Sequence, residues 1–234
     1  MLAHRSKLDF TVAALRFLRD QSKLVREVTG HGKRWPIPQE EFAEEELCYG
    51  RDVTPRNPWT TLKSRIAYSN AWLRIREDDV LRPDGQPGLY GVVEIRPSVG
   101  VLAINDREEV ALVGQWRYPV GRYGWEIVRG GSSEGETDML AAARRELREE
   151  TGYDAEQWSP LGPVDVCNGV TTDVQHLFVA RKLRFSGVEL EPVEEIETRW
   201  VPFDQVVQMA LDGRITEVCS VAAILRHTLS AHCK

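Results

Sequence analysis

The chain has 234 residues, enough for one large domain or one ordinary domain with an extension, and enough to bury a core without covalent or metal staples. An apolar fraction of 42% and a charged fraction of 28%, without low-complexity or repeated segments, exclude a chain disordered through most of its length. The formal net charge of −6 argues against a nucleic-acid-wrapping surface, whereas a small phosphorylated substrate needs only a few local cations.

The segment Met1 to Leu18 begins with basic and apolar residues, but Asp9 and Arg16 interrupt it, so neither a signal peptide nor a membrane span is expected. From Leu8 to Val28 the apolar positions Leu8, Val12, Leu15, Leu18 and Val25 recur at helical steps between charged residues. This predicts an amphipathic helix, which can dock on its own domain, pair with a second copy or bind another partner. Gly30, Gly32, Pro36 and Pro38, the acidic stretch Glu40 to Glu46, and then Pro55, Asn57 and Pro58 read as an irregular connector. Residues 1–56 are therefore expected to be an N-terminal helical extension with a connector, and residues 57–234 the main domain.

Strand-like sequence begins near Thr61 and is dense from Leu89 to Ile104. The turn signal Arg82-Pro83-Asp84-Gly85 predicts a hairpin of Ala71 to Leu81 with Tyr90 to Arg96. Val110 to Val113 and Trp125 to Val128 read as further strands, with Pro119, Gly121 and Gly124 in the turn between them. A glycine-bearing loop, Gly130 to Thr137, leads to a helix over Asp138 to Thr151, with Thr137 as its expected N-cap and Gly152 as its stop. Strands are predicted near Val174 to Leu183 and Thr198 to Val201, and helices over Phe203 to Leu211 and Thr216 to Leu229. This order predicts an α/β fold, a mixed sheet with helices on its faces. Cys48, Cys167, Cys219 and Cys233 are widely spaced and form no C-x-x-C pair, so the expectation is a reducing, cytoplasmic setting without a zinc site or disulfide framework.

The chemistry gathers on the central helix. Met139, Leu140, Ala143 and Leu147 share one face, which packs inward, while Glu146, Glu149 and Glu150 at i, i+3 and i+4 share another. Three carboxylates on one patch repel unless a cation compensates them, and oxygen-only ligands suit Mg²⁺ or Mn²⁺.

The string Arg145-Glu146-Leu147-Arg148-Glu149-Glu150-Thr151-Gly152-Tyr153 resembles the second half of the Nudix box, R-E-U-x-E-E-x-G-U, at every specified position, and with Gly131 as the opening glycine the box runs to Tyr153. One departure is visible: the family's loop glutamate is replaced by Thr137, with Glu136 one residue earlier, which reads as a loop shortened by one and a helix start lengthened by one. The resemblance implies a Nudix fold, an α/β/α sandwich around a mixed β-sheet. It further implies Glu146, Glu149 and Glu150 as metal ligands, joined by the Gly130 carbonyl, and Arg145 as the group that orients them.

Outside the box, Gln115-Trp116-Arg117-Tyr118-Pro119 with Trp125-Glu126-Ile127, and Leu211 to Thr216, are similar to stretches of ADP-ribose and nucleotide-sugar pyrophosphatases. That resemblance, spanning residues 61 to 230, implies Arg117 and Glu126 as substrate contacts. Trp116, Tyr118 and Trp125 are candidates for stacking on a base or covering a ribose. The general base is expected to be Asp173, on the loop Asn168 to Asp173, or a carboxylate of the helix. Many ADP-ribose pyrophosphatases carry a proline in that loop where this chain has Asn168-Gly169, so ADP-ribose and nucleotide sugars both stay open. Implied are Mg²⁺ or Mn²⁺, a small nucleoside diphosphate derivative as substrate and a homodimer, with no nucleic-acid or membrane partner. A catalytically silent ligand sensor, or an enzyme for dinucleoside polyphosphates, is the alternative.

Overall fold

A computed structural model of the chain describes residues 56–187 and 196–230. The expected helix Leu8 to Val28 and its connector lie outside the described residues.

Strands β1 (Thr60–Ser69), β2 (Leu73–Leu81) and β3 (Pro87–Ile95) form an antiparallel three-stranded sheet in sequential order. The predicted hairpin pairs Leu81 with Pro87 and Arg74 with Glu94, and Gly85 (φ 79°) closes its turn in a conformation that favours glycine. Strand β2 begins at Leu73 rather than Ala71, because Asn70 Oδ1 accepts hydrogen bonds from the backbone N–H of Trp72 (2.8 Å) and Leu73 (2.9 Å) and folds the preceding residues into a turn. All ten residues of β1 are exposed, Leu62, Ile66 and Tyr68 among them.

The second sheet has six strands in the order β7-β8-β4-β6-β5-β9: β4 (Ser98–Ala103), β5 (Glu109–Arg117), β6 (Arg122–Gly131), β7 (Tyr153–Asp165), β8 (Val174–Phe185) and β9 (Glu197–Pro202). Strand β4 runs parallel to β8 and the other pairs are antiparallel, so the sheet is mixed as expected. One face packs on α1 (Met139–Thr151) through Val99, Val101, Val113, Val128, Ala143 and Leu147. The other packs on α2 (Phe203–Leu211) and α3 (Val218–Ser230) through Leu102, Leu112, Ile127, Val206 and Ile224. Burial on both faces explains why β4 is apolar without alternation.

Strand β7 was not legible as a strand. Its sequence holds Pro160, Gly162 and Pro163, which weaken a strand prediction; it lies at the edge of the sheet, with a register shift between Pro160 and Gly162, where missing donors are tolerated. Strand β6 changes partner along its length: Arg122 to Ile127 pair with β5, and Val128 to Gly131 with β4. The carboxylate helix therefore meets the sheet beside the point where β4 and β5 part.

Candidate active site

Helix α1 and its cap each start one residue later than expected. Asp138, not Thr137, is the N-cap, its carboxylate accepting from Leu140 N (2.9 Å) and Ala141 N (3.2 Å), and a negative charge at this end also complements the helix dipole. Gly152 ends the helix with φ 75° and its N–H bonded to the Arg148 carbonyl. Leu147 is fully buried against the sheet, which turns Glu146 and Glu150 to the edge of the packed face, 8% and 5% exposed. Glu149 is more open.

Arg145 stands among these carboxylates. Its Nη1 donates to Glu146 Oε1 (2.7 Å) and Glu149 Oε2 (2.8 Å), and its Nη2 donates to the Gly131 carbonyl (2.8 Å). Burial works to lower its pKa, but the charges of Glu146 and Glu149 outweigh that and raise it above the usual arginine range. Glu136 also reaches Arg145 Nη2, at 3.4 Å, while accepting from Ser133 N at 2.8 Å, so the one-residue displacement within the box still brings this carboxylate to the arginine. Glu146 lies directly over Gly130: a Cβ placed there would be 2.1 Å from Glu146 Cδ. Glu150 Oε2 accepts from the backbone N–H of Arg129, at 3.2 Å.

Arg117 and Glu126 are brought together across β5 and β6. Arg117 Nε and Nη2 donate to the two carboxylate oxygens of Glu126 at 2.8 and 2.7 Å, and Glu126 is only 2% exposed. Burial opposes the charge of Arg117, and the bond to Glu126, its charge and that of Glu150 more than restore it. This pair lines a cavity of about 270 Å³ with Pro119, Trp125, Arg129 and Glu217. Trp125 is thus the aromatic wall, while Trp116 and Tyr118, 62% and 90% exposed, are not among the residues that line this cavity. Asp173 accepts from Ser98 Oγ (2.9 Å) at the head of β4.

Two residues of the network escaped sequence reasoning. Arg129 Nη1 lies 3.3 Å from Glu126 Oε2 and 3.5 Å from Glu217 Oε1. Glu217 caps α3 through Cys219 N (3.0 Å) and Ser220 N (2.7 Å). An acidic residue just before an apolar helical run is a helix-start signal that points to Glu217, whereas nothing in the sequence pairs it with Arg129.

Among the described residues no three acidic or metal-ligating side chains stand gathered on one point, and Arg145 lies between Glu146 and Glu149. The donor chemistry nonetheless fits a hard divalent cation: the acidic side chains of Glu126, Glu136, Glu146, Glu149, Glu150 and Glu217 outnumber their guanidinium partners Arg117, Arg129 and Arg145.

Comparison with known proteins gives this geometry a context. Residues 94–218 match a family model described as NUDIX domain, and residues 59–93 one described as nucleoside diphosphate sugar hydrolase N-terminal domain. An ADP-ribose pyrophosphatase from Mycobacterium tuberculosis is 31% identical over 168 residues, 70% of this chain and 81% of the relative. A methanol dehydrogenase activator from Bacillus methanolicus is 30% identical over 166 residues, 70% of this chain and 89% of the relative. A crystal structure of an ADP compounds hydrolase is similar with a TM-score of 0.67 at 19% identity, covering 75% of this chain and 95% of that one, a likeness of fold.

Proposed function

The chain belongs to the Nudix hydrolase family, and from that premise we propose that it hydrolyses the pyrophosphate bond of ADP-ribose or a related nucleoside diphosphate sugar, giving a nucleoside monophosphate and a sugar phosphate. The observation that carries this reading is the Arg117–Glu126 pair lining a cavity together with Arg129, whose backbone N–H donates to Glu150 of the carboxylate helix. Arg117 holds a phosphate oxygen of the substrate, and Glu126 keeps the guanidinium aimed. Arg145 holds Glu146 and Glu149 in place against Gly130 and Gly131. Glu146, Glu149 and Glu150, with the Gly130 carbonyl, would hold Mg²⁺ or Mn²⁺, which when bound supplies charge neutralisation at the diphosphate and a more acidic water. In the hydrolysis a water adds to phosphorus as the bridging P–O bond breaks, and Asp173 or a carboxylate of α1 would take the proton that the water releases.

The test is a panel of ADP-ribose, UDP- and GDP-sugars, diadenosine polyphosphates, NADH and nucleoside triphosphates, scored by product chromatography with Mg²⁺, with Mn²⁺ and with chelator. Cleavage of ADP-ribose or a nucleotide sugar, lost with chelator, is expected. Preference for a triphosphate or a dinucleoside polyphosphate would refute the substrate class.

Two architectural proposals accompany this reading. The chain is proposed to pair as a homodimer, with the exposed apolar side chains of β1 as the surface that a second copy covers. Residues 1–56 are proposed to be dispensable for folding, since β1 begins at Thr60. Light scattering is expected to give twice the chain mass for both the full chain and one lacking residues 1–56. A monomer, or an insoluble truncated chain, contradicts the respective part. Among the described residues no helix is long and apolar enough to cross a membrane.

A further inference from the structure

We propose that Glu217 and Arg129 are positioning residues for this reaction, a claim that rests on the reading of Arg117 as the group that holds the substrate and of Glu126 as the group that aims it. The coupling begins where β6 changes partner. At that change the Ile127 N–H is received not by a strand but by Ser220 Oγ (3.0 Å), a fully buried hydroxyl at the head of α3. Ser220 Oγ in turn donates to Glu217 Oε2 (2.7 Å). Two residues along β6, Arg129 meets Glu217 at 3.5 Å, so the head of α3 grips β6 on the C-terminal side of Glu126 through a hydroxyl and an ion pair.

From Glu217 the charges alternate in one continuous row: Glu217, Arg129, Glu126, Arg117, with steps of 3.5, 3.3 and 2.7 Å. The row ends at the cavity, which Glu217 and Arg129 also line. Glu126 is nearly inaccessible and carries two guanidiniums on its Oε2, so the direction in which Arg117 points depends on how strongly Arg129 pulls the same oxygen. Glu217 sets that pull by sharing Arg129. The backbone N–H of Arg129 donates to Glu150, which ties the same residue to the carboxylate helix. Burial raises the pKa of Glu217, but the Arg129 charge and the bonds from Ser220 and Cys219 lower it further, so Glu217 is ionised at neutral pH.

A cap alone would not need that charge. Glu217→Gln keeps the size and, with its amide oxygen in the place of Oε2, still accepts from Ser220 N and Ser220 Oγ, while its NH2 replaces the Oε1 that meets Arg129 Nη1 and Cys219 N. ADP-ribose is titrated calorimetrically into metal-free full-length wild type, Glu217→Gln, Arg129→Lys and the double variant, alongside thermal melts. The expected result for Glu217→Gln is binding weaker by about tenfold with the small fall in melting temperature of one lost cap bond, a fall that Glu217→Ala, which loses every cap bond, exceeds. With Mg²⁺ present the same factor falls on KM, with kcat retained. The double variant is expected to bind no worse than Arg129→Lys, because the two residues act through one contact. Equal dissociation constants for wild type and Glu217→Gln, or losses that simply multiply in the double variant, overturn the positioning claim. A wild type that binds ADP-ribose but leaves it intact with Mg²⁺ present sinks the hydrolase reading alone.

Discussion

Replacing Glu150 by Gln is expected to lower turnover by roughly two orders of magnitude or more while the chain stays folded, and Glu149→Gln is expected to do the same. Each change removes a charge and almost no volume. Glu150 is 5% exposed and accepts from Arg129 N, a bond that the Gln oxygen still accepts, so the fold keeps its contacts. Glu149 shares Arg145 with Glu146 and Glu136, and the loss of its charge leaves Arg145 drawn toward those two. Turnover at saturating Mg²⁺ and circular dichroism, measured together, decide the matter; near-wild-type turnover in both variants would remove the metal assignment. Asp173→Asn belongs in the same series. A hydroxyl from Ser98 already fixes Asp173 as an acceptor, so if the Asn variant keeps wild-type turnover the proton goes to a carboxylate of α1 instead.

Gly130→Ala is expected to have the second largest effect. The added methyl would sit 2.1 Å from Glu146 Cδ and 2.2 Å from both carboxylate oxygens, far inside contact distance. The Glu146 carboxylate is wedged between the Gly130 backbone and Arg145, so it can yield only by leaving Arg145, with which it pairs at 2.7 Å. Overpacking of this kind costs about 1–3 kcal/mol. A drop in melting temperature together with a collapse of turnover is therefore expected. Gly131→Ala is the control, because a Cβ there meets nothing within 4 Å. If the two alanine variants behave alike, Glu146 is not held where the structure places it.

The carboxylate helix was legible because its signals are local. Apolar spacing, a run of good helix formers, Gly152 as stop and acids at i, i+3 and i+4 all lie within one segment, and α1 forms there with Glu146 and Glu150 on its buried edge. The cap was misplaced by one residue because Thr137 and Asp138 are both good caps, and only the geometry shows that Asp138 reaches Leu140 N and Ala141 N. Strand β7 was missed because Pro160, Gly162 and Pro163 speak against a strand, and only its edge position makes them acceptable. Arg117 and Glu126 came from resemblance; in the register of β5 with β6 they stand opposite Arg122 and Val113, four positions apart, so only the side-chain geometry shows their bidentate pairing. Arg129 and Glu217 were beyond reach for a different reason. They stand 88 positions apart, and what joins them is α3 packing where β6 changes partner, a long-range fact that no local pattern encodes.

The most direct test of the whole account is the fate of ADP-ribose incubated with the full-length chain and Mg²⁺, followed by chromatography. AMP and ribose phosphate are expected in equal amounts, with no products once the metal is chelated or Glu150 is replaced by Gln. Intact ADP-ribose and intact nucleotide sugars, under conditions where calorimetry shows that the chain binds them, would contradict it and make this protein a sensor rather than a hydrolase.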